Sequence, residues 1–257
     1  MLFEGEDTKV ELGPTLRKLV TAARFNPSLP YLSFLCINFD APVVQEAASW
    51  FLDAVFLNYN SSYLERMLEQ MLDEGDSREV TRFLRAVDVR IDGFRVERAP
   101  EWRGQRVFVR HEVGGKAYEL RLSEESAGTQ KLMGLAAYLM TALERGGTVV
   151  VDELDAKLHP KLLRYVILLF KDPEVNKSGA QLIFSSQDVS TMRNDVFRRD
   201  EIWFAARGEG EASQLWSLAD IHEANGNLVS KNAAFDKQYL SGRYGADPYL
   251  TRIEEWD

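Results

Sequence analysis

TVVVDELDAKLHP, residues 148–160, is an apolar run that stops at two adjacent acids, with a third acid two positions further on. Four mostly β-branched residues in a row favour a strand, and the lack of polar alternation favours burial of both strand faces. Ligands bind sheets of such strands at the carboxyl ends of the strands. The stretch therefore predicts a buried parallel strand whose binding edge carries Asp152 and Glu153.

The segments around this strand alternate between helix and strand patterns. Residues 126–147 place leucines at helical spacing and end at a Gly-Gly pair, which predicts a helix. After the acids, PKLLRYVILLF predicts a helix, AQLIFSS a strand, and EIWFAA with SQLWSL a strand pair. This order is typical of an α/β protein whose parallel sheet is covered by helices on both sides.

The upstream sequence divides into two further regions. VRIDGFRVE, QRVFVRHEV and KAYELRL alternate with period two, and Gly114-Gly115 suits a tight hairpin, so residues 89–122 predict an antiparallel meander. Residues 14–88 are predicted to be mainly helical, on the patterns PTLRKLVTAARF, APVVQEAASWFLDAVFLNY and SYLERMLEQMLDE.

Composition limits the classes of protein and metal site. The 257 residues, 45% of them hydrophobic, can bury the core of one large domain or two small ones. Apolar runs such as YVILLF are far shorter than the roughly 20 residues that cross a bilayer, and the N-terminus has no signal-peptide layout, so we expect a cytoplasmic protein without membrane contact. One cysteine, Cys36, and three histidines cannot form a structural zinc site, so any metal should be bound by carboxylates.

The net charge of −9 argues against nucleic-acid binding by bulk attraction. Arginines cluster in RNDVFRR at 193–199 and at Arg82, Arg85, Arg90 and Arg95. These arginines suit either a local basic patch or a solvated face offset by nearby acids, and the solvated face is the simpler interpretation.

A strand that ends in two acids matches the needs of nucleotide hydrolysis. The first carboxylate can hold Mg²⁺ through its water shell, and the second can orient and deprotonate a water for attack on the γ-phosphate. Taken alone, such a pair is more often a helix cap or a solvated turn. The flanking motifs change that balance.

VVVDELDAKLHP resembles the extended Walker B motif and D-loop of ABC-type ATPases in the AAA family, the group that includes OLD-like nucleases and chromosome-repair ATPases. ESAGTQKL resembles the signature motif of that group, and LIFSSQD its switch strand. RRDEIWFAARGEGEASQLWSLAD and GRYGADPYL resemble the C-terminal part of bacterial members tied to anti-phage defence. The resemblance implies an ABC-ATPase-like P-loop NTPase core over residues 89–257, with residues 1–88 as a helical arm.

The resemblance also implies roles for the acid pair and the switch position. Asp152 would be the Mg²⁺ carboxylate and Glu153 the general base, with ATP as the nucleotide. Gln187 occupies the switch position, where the family commonly has a histidine. Glutamine can hydrogen-bond a phosphate or a water but cannot become a cation, so it predicts weaker sensing of the γ-phosphate.

Three more residues are implied to act across a dimer. Ser126 and Gly128 would contact the γ-phosphate of a nucleotide held by a partner, a role that suits the free N–H groups of a helix start. Asp155 would cross to the second subunit. The alternatives are an ordinary helix cap at Ser126 and a turn at Asp155, and for His159-Pro160 a helix start is favoured.

The phosphate-binding loop of the family has no counterpart in the sequence. GxxxxGK followed by Ser or Thr occurs nowhere, and the nearest segment, RHEVGGKA at 110–117, suits a hairpin turn. We therefore expect the C-terminal two-thirds of a longer ATPase, without the first strand and the P-loop. The edge left unpaired by that strand should be filled by a separate N-terminal chain, a second copy or a local segment.

The sequence thus predicts an ATP-binding and ATP-hydrolysing module that acts as a nucleotide-dependent dimerisation switch. We expect a homodimer or higher oligomer formed through the signature and D-loop surfaces, with an effector protein as a further partner. A catalytically inactive scaffold that has lost its phosphate-binding loop is the main alternative. A metal-dependent nuclease using Asp152, Glu153 and Asp155 is a weaker one, because no further carboxylates are clearly nominated.

Overall fold

The computed structural model describes residues 30–38, 40–57, 72, 77–87, 91–98, 105–207, 212–223 and 226–246. The strands are β1 (Val55–Leu57), β2 (Gly93–Arg98), β3 (Gln105–Val113), β4 (Lys116–Arg121), β5 (Thr148–Val151), β6 (Gln181–Phe184), β7 (Trp203–Arg207) and β8 (Ser213–Ser217). The α-helices are α1 (Tyr31–Asn38), α2 (Pro42–Asp53), α3 (Ser77–Ala86), α4 (Ala127–Arg145), α5 (Pro160–Lys171) and α6 (Phe235–Leu240). Among these helices none is long and apolar enough to cross a bilayer.

The chain divides into two compact units, Met1–Val55 and Phe56–Asp257. In the first unit α1 and α2 form a helical pair, and α2 begins at Pro42, where a proline costs no helical hydrogen bond. Phe34, Leu35 and Val44 are buried there. The predicted helices PTLRKLVTAARF and SYLERMLEQMLDE lie outside the described residues, apart from Leu72, and the predicted division at residue 88 stays a prediction.

The second unit confirms the predicted α/β class, with a parallel sheet, flanking helices and an antiparallel sheet. β5 pairs with β6 in parallel, and the first sheet has the order β1–β5–β6. β2, β3 and β4 form the predicted antiparallel meander. Gly114 and Gly115 both have positive φ, 59° and 75°, as a type I′ hairpin turn requires. β7 and β8 form an antiparallel pair.

Strand β1 was not predicted. The helical pattern APVVQEAASWFLDAVFLNY ends at Asp53, Ala54 is extended, and the following residues join the sheet. The Asp152 N–H donates to the Leu57 carbonyl at 2.8 Å, and Leu57 is buried. Backbone pairing in the sheet therefore outweighs the helical pattern of these residues. Strand β1, a segment of this same chain, occupies the edge of β5 opposite β6.

Among the described residues, the two faces of the parallel sheet are covered to different extents. In the β5–β6 register Val149 and Val151 share a face with Leu182 and Phe184, and both valines are buried. The opposite face carries Val150 and Ile183, and Ile183 is 49% exposed. The described residues therefore cover one face of β6 more completely than the other.

Helix α4 forms the centre of the core. Its buried residues include Leu132, Met133, Leu135, Ala136 and Leu139, and Gly146 ends the helix with φ 82°. Helix α5 adds Leu163, Val166 and Ile167. Truncating one such leucine to alanine typically costs about 2–5 kcal/mol of stability. Helices α4 and α5 are therefore firmly held, and the loops that join them to the strands begin from fixed positions.

Candidate functional site

The two acids that follow β5 open a tight loop at the end of the central strand. Asp152 and Glu153 are both exposed, and Leu154 between them and Asp155 is fully buried. Glu153 has φ 51° and Lys157 has φ 62°, left-handed values that non-glycine residues seldom adopt. We call residues 152–158 the acid loop. Its two left-handed residues show that the surrounding contacts hold it in one conformation.

Ser185 joins the acid pair to the next strand. Because Val151 lies opposite Phe184 in the parallel register, the residue after each strand also meets its counterpart. The Ser185 hydroxyl donates to Asp152 Oδ1 at 2.5 Å and accepts from the Glu153 N–H at 2.8 Å. Ser185 was not predicted from the sequence, although it is the first polar residue after β6 and the same strand register places it beside Asp152.

Asp155 and Gln187, which lie 32 positions apart, are also brought together. The Gln187 N–H donates to Asp155 Oδ2 at 3.2 Å, and the Gln187 side chain is exposed. Asp155 Oδ1 is buried and accepts no hydrogen bond from the described residues. The Asp155 carboxylate therefore faces the interior of this unit, and its predicted crossing to a second subunit stays a prediction.

The start of α4 packs against the acid loop. Ser126 is exposed and caps the helix: its hydroxyl accepts from the Thr129 N–H at 3.1 Å and lies 2.8 Å from the Thr129 hydroxyl. A Cβ added to Gly128 would lie 2.7 Å from the Lys157 carbonyl oxygen, closer than real contacts. The close packing explains why residue 128 is glycine. Ser126 caps the helix, as one of its two predicted roles requires. Neither observation tests the predicted contact of these residues with a phosphate.

Lys131 in the second turn of α4 is a buried cation beside the same loop. Its ammonium donates to the carbonyls of Glu153, at 2.6 Å, and Ala156, at 2.9 Å. Burial lowers the pKa of Lys131 below 10.5, while the charges of Asp155 and Glu153 act in the opposite direction. Lys131 was not predicted as a site residue. Its position four residues before the buried Leu135, on the apolar face of the helix, is the sequence signal that indicates its burial.

His159 and Asp188 have capping roles. The His159 Nδ1 accepts from the Lys161 N–H at 3.1 Å, which confirms that His159-Pro160 starts a helix. Asp188 accepts from both the N–H and the hydroxyl of Ser190. These hydrogen bonds account for both side chains without a ligand.

The described part of the chain holds no group of three or more His, Cys, Asp or Glu side chains placed to bind a metal ion. A Mg²⁺ that keeps most of its waters needs only one or two protein carboxylates together with phosphate oxygens. Asp152, with one oxygen on Ser185 and an exposed side chain, suits that kind of site better than a site built only from protein ligands.

The arginine clusters are largely offset by acids. Ion pairs join Arg85 to Asp92, Arg95 to Glu119 and Glu97, Arg193 and Arg164 to Asp195, and Arg198 to Asp200 and Glu201. Arg90 lies outside the described residues. The pairs support the simpler interpretation of these arginines as parts of solvated faces.

The protein resembles several solved ATPase heads at low identity. A structure described as concerning "ATP-driven dimerization and DNA stimulated activation of SMC ATPases" is 15% identical, with a TM-score of 0.36; the match covers 59% of this chain and 88% of that one. The Smc head of Pyrococcus furiosus bound to the C-terminal domain of ScpA is 19% identical, with a TM-score of 0.40, over 73% of this chain and 44% of that one. The SMC head of Thermotoga maritima is 16% identical, with a TM-score of 0.37, over 63% and 52%.

No curated protein matches the sequence. Residues 25–193, well over half of the chain and including both the start of α4 and the acid loop, match the family described as "AAA domain, putative AbiEii toxin, Type IV TA system". The chain therefore belongs to this family of AAA domains.

Proposed function

We propose that the chain is an ATP-binding and ATP-hydrolysing module that works as a nucleotide-dependent dimerisation switch. Membership of an AAA family supports the nucleotide. The association of this family with a toxin–antitoxin system, together with the resemblance of the C-terminal segment to bacterial members tied to anti-phage defence, supports a role in bacterial anti-phage defence. The observation that carries the proposal is the exposed Asp152–Glu153 pair at the carboxyl end of a central parallel strand.

The residues present fit a hydrated Mg²⁺ next to a nucleotide. Asp152 is held in place by Ser185 while its side chain stays exposed. It would hold the ion, and the bound ion would neutralise charge on the phosphates. Ser185 fixes the carboxylate from the adjacent strand, which reduces the reorganisation needed when the nucleotide binds.

Glu153 is our candidate for the general base. Its backbone N–H is held by Ser185 and its carbonyl by Lys131, while its side chain is exposed, so the carboxylate has a fixed origin and access to water. In this role it would orient a water and accept its proton. Gln187 follows the adjacent strand β6 and its side chain is exposed, so its amide would hydrogen-bond that water or the γ-phosphate.

No GxxxxGK pattern is present in the sequence, so we propose that another segment supplies the backbone cradle for the phosphates. We propose that Ser126 and Gly128 contact the γ-phosphate of a nucleotide bound to a partner, and that Asp155 lies near the same dimer surface. On this proposal the chain alone binds ATP poorly. Calorimetry that gave micromolar ATP affinity for the isolated chain would contradict it.

The test of the acid pair uses the native assembly, purified through a tag on this chain, so that any separate segment bearing the loop is included. Glu153→Gln should leave ATP binding intact and slow hydrolysis by about 10²–10⁴-fold, the range for losing a positioned base. Glu112→Gln, on an exposed side chain at the end of β3, is the control and should hydrolyse ATP normally. Unchanged turnover in Glu153→Gln would remove Glu153 from the mechanism.

The dimer role is tested separately at the exposed start of α4. Ser126→Arg should abolish ATP-dependent dimerisation and hydrolysis together, because its long side chain would occupy the space that the γ-phosphate of the partner's nucleotide needs. Sizing by light scattering with ATP and the Glu153→Gln background measures the dimer. A normal ATP-dependent dimer in Ser126→Arg would refute the contact across the dimer.

A second candidate function is an inactive interaction module. The absent phosphate-binding loop and the glutamine at the switch position favour it. The two candidates separate on one measurement: if the native assembly binds no ATP, the scaffold is favoured, and if it binds and hydrolyses ATP with dependence on Glu153, the ATPase is favoured.

A further inference from the structure

The buried side chain of Lys131 links helix α4 to the acid loop. It is only 6% exposed, and its ammonium donates to two backbone carbonyls of the acid loop, those of Glu153 and Ala156. Removing a buried ammonium from water is costly unless it is compensated, and the two carbonyls with the nearby charge of Asp155 provide that compensation. The Lys131 ammonium therefore holds two carbonyl groups of the acid loop at fixed positions.

The same helix touches the loop at a second point. Gly128, one turn earlier, lies so close to the Lys157 carbonyl that no side chain fits between them. The first two turns of α4 thus contact the loop near its start, at Glu153, and near its end, at Ala156 and Lys157. Each contact is made at or next to a left-handed residue, Glu153 or Lys157, whose conformation needs support from the surrounding structure.

The loop is held on its other side by the end of β6. Ser185 bonds to Asp152 and to the Glu153 N–H, and its carbonyl accepts from the Leu154 N–H at 3.0 Å. The acid pair is therefore placed between two supports, the sheet and helix α4. Only the helix support leads back to the exposed Ser126 end.

We propose that Lys131 is a positioning residue that couples the start of α4 to the acid loop, so that a ligand contact at the helix end changes the placement of Asp152 and Glu153. The inference rests on the proposed function for its purpose, because it describes regulation of that site. Its structural content, a helix and a loop that move as one body, is independent of ATP.

The structural test is amide hydrogen exchange on the full chain without nucleotide. Lys131→Met keeps the length and removes the charge, and it should raise exchange of the Glu153, Leu154 and Ala156 amides by about tenfold or more relative to the rest of the core. Leu139→Ala is the matched control, because it damages the same buried helix two turns further on. It should raise exchange across the core without singling out the loop.

Rescue and a second variant keep the test decisive. Lys131→Arg keeps a cation at this position, so it should retain most of the protection of the loop amides that Lys131→Met loses. If Lys131→Met does not fold, Gly128→Ala takes its place: it pushes on the other contact and should also raise exchange in the acid loop. Loop exchange in the folded variant that only follows the core, as in Leu139→Ala, would overturn the proposal.

The functional arm distinguishes the two proposals. In the native assembly Lys131→Met should lower the rate of hydrolysis more than the affinity for ATP, because it displaces the acids rather than the nucleotide. If Glu153→Gln hydrolyses ATP normally while Lys131→Met loosens the loop, the proposed function fails and the coupling stands. If Glu153→Gln is inactive and Lys131→Met leaves both loop and turnover unchanged, the coupling fails and the function stands.

Discussion

Replacing Gly128 with alanine has two opposite effects: it raises the helix propensity of α4, and it creates a steric clash with the acid loop. Gly128 lies in the first turn of α4, and its φ is not in the left-handed region, so the backbone itself accepts alanine. The new Cβ would lie 2.7 Å from the Lys157 carbonyl oxygen, and contacts below 3.0 Å are essentially never adopted. The neighbour is backbone, so no flexible side chain can move aside.

The magnitudes decide the sign. Alanine is favoured over glycine in a helix interior by about 1 kcal/mol, and by less in the first turn. Relieving the clash requires a shift of helix or loop by roughly half an ångström, and overpacking of this kind costs about 1–3 kcal/mol. We expect a net loss of about 1–2 kcal/mol in the free energy of unfolding.

Urea unfolding followed by circular dichroism measures this change. Ala127→Gly, at the exposed neighbouring position, gives the alanine–glycine difference in the same turn and should cost about 0.5–1 kcal/mol. A Gly128→Ala variant more stable than the parent chain would show that propensity wins and that the close approach to Lys157 is not present in solution.

Two further predictions concern single hydrogen-bonded groups. Ser185→Ala removes two hydrogen bonds to exposed groups, so the free energy of unfolding should fall by no more than about 1 kcal/mol, while hydrogen exchange of the Glu153 amide rises. Ser190→Ala is the control. Equal exchange of the Glu153 amide in both variants would contradict the hydrogen bond from Glu153 to Ser185. Burial raises the pKa of Tyr244 from 10 to about 12, so the folded chain holds this proton more tightly than the unfolded chain. Its stabilising effect is complete below pH 10 and is lost as the pH rises towards 12, by up to about 2 kcal/mol in urea unfolding. Tyr244→Phe should lack this loss, and an equal decline in both proteins would refute the assignment.

Local patterns predicted most of the elements in the second unit. The period-two segments became β2, β3 and β4, the leucine spacing became α4, and the paired glycines at 114 and 115 became the hairpin turn. Each of these depends on contacts between residues near in sequence, or on a backbone conformation that only certain residues adopt. The acids after β5 were likewise placed correctly at a strand end, because a strand boundary is a local property.

The prediction failed where pairing between distant segments outweighs local preference. The residues of β1 continue a helical pattern, yet they form a strand, because the edge of β5 offers backbone partners that a helix would leave unpaired. Helical spacing carries no information about that edge. The exposed Ile183 escaped prediction for a related reason, since the apolar run of β6 does not show which of its faces is covered.

The sequence by itself determined which residues end the central strand and which begin α4, since both follow from periodicity and capping. The tertiary structure alone decided that these two features touch. Ser185 meets Asp152 across 33 positions through strand register, and Lys131 meets Glu153 across 22 through packing of a buried helix. Contacts of this range depend on how whole elements are placed, and the free energy that places them comes from the shared core rather than from the residues in contact.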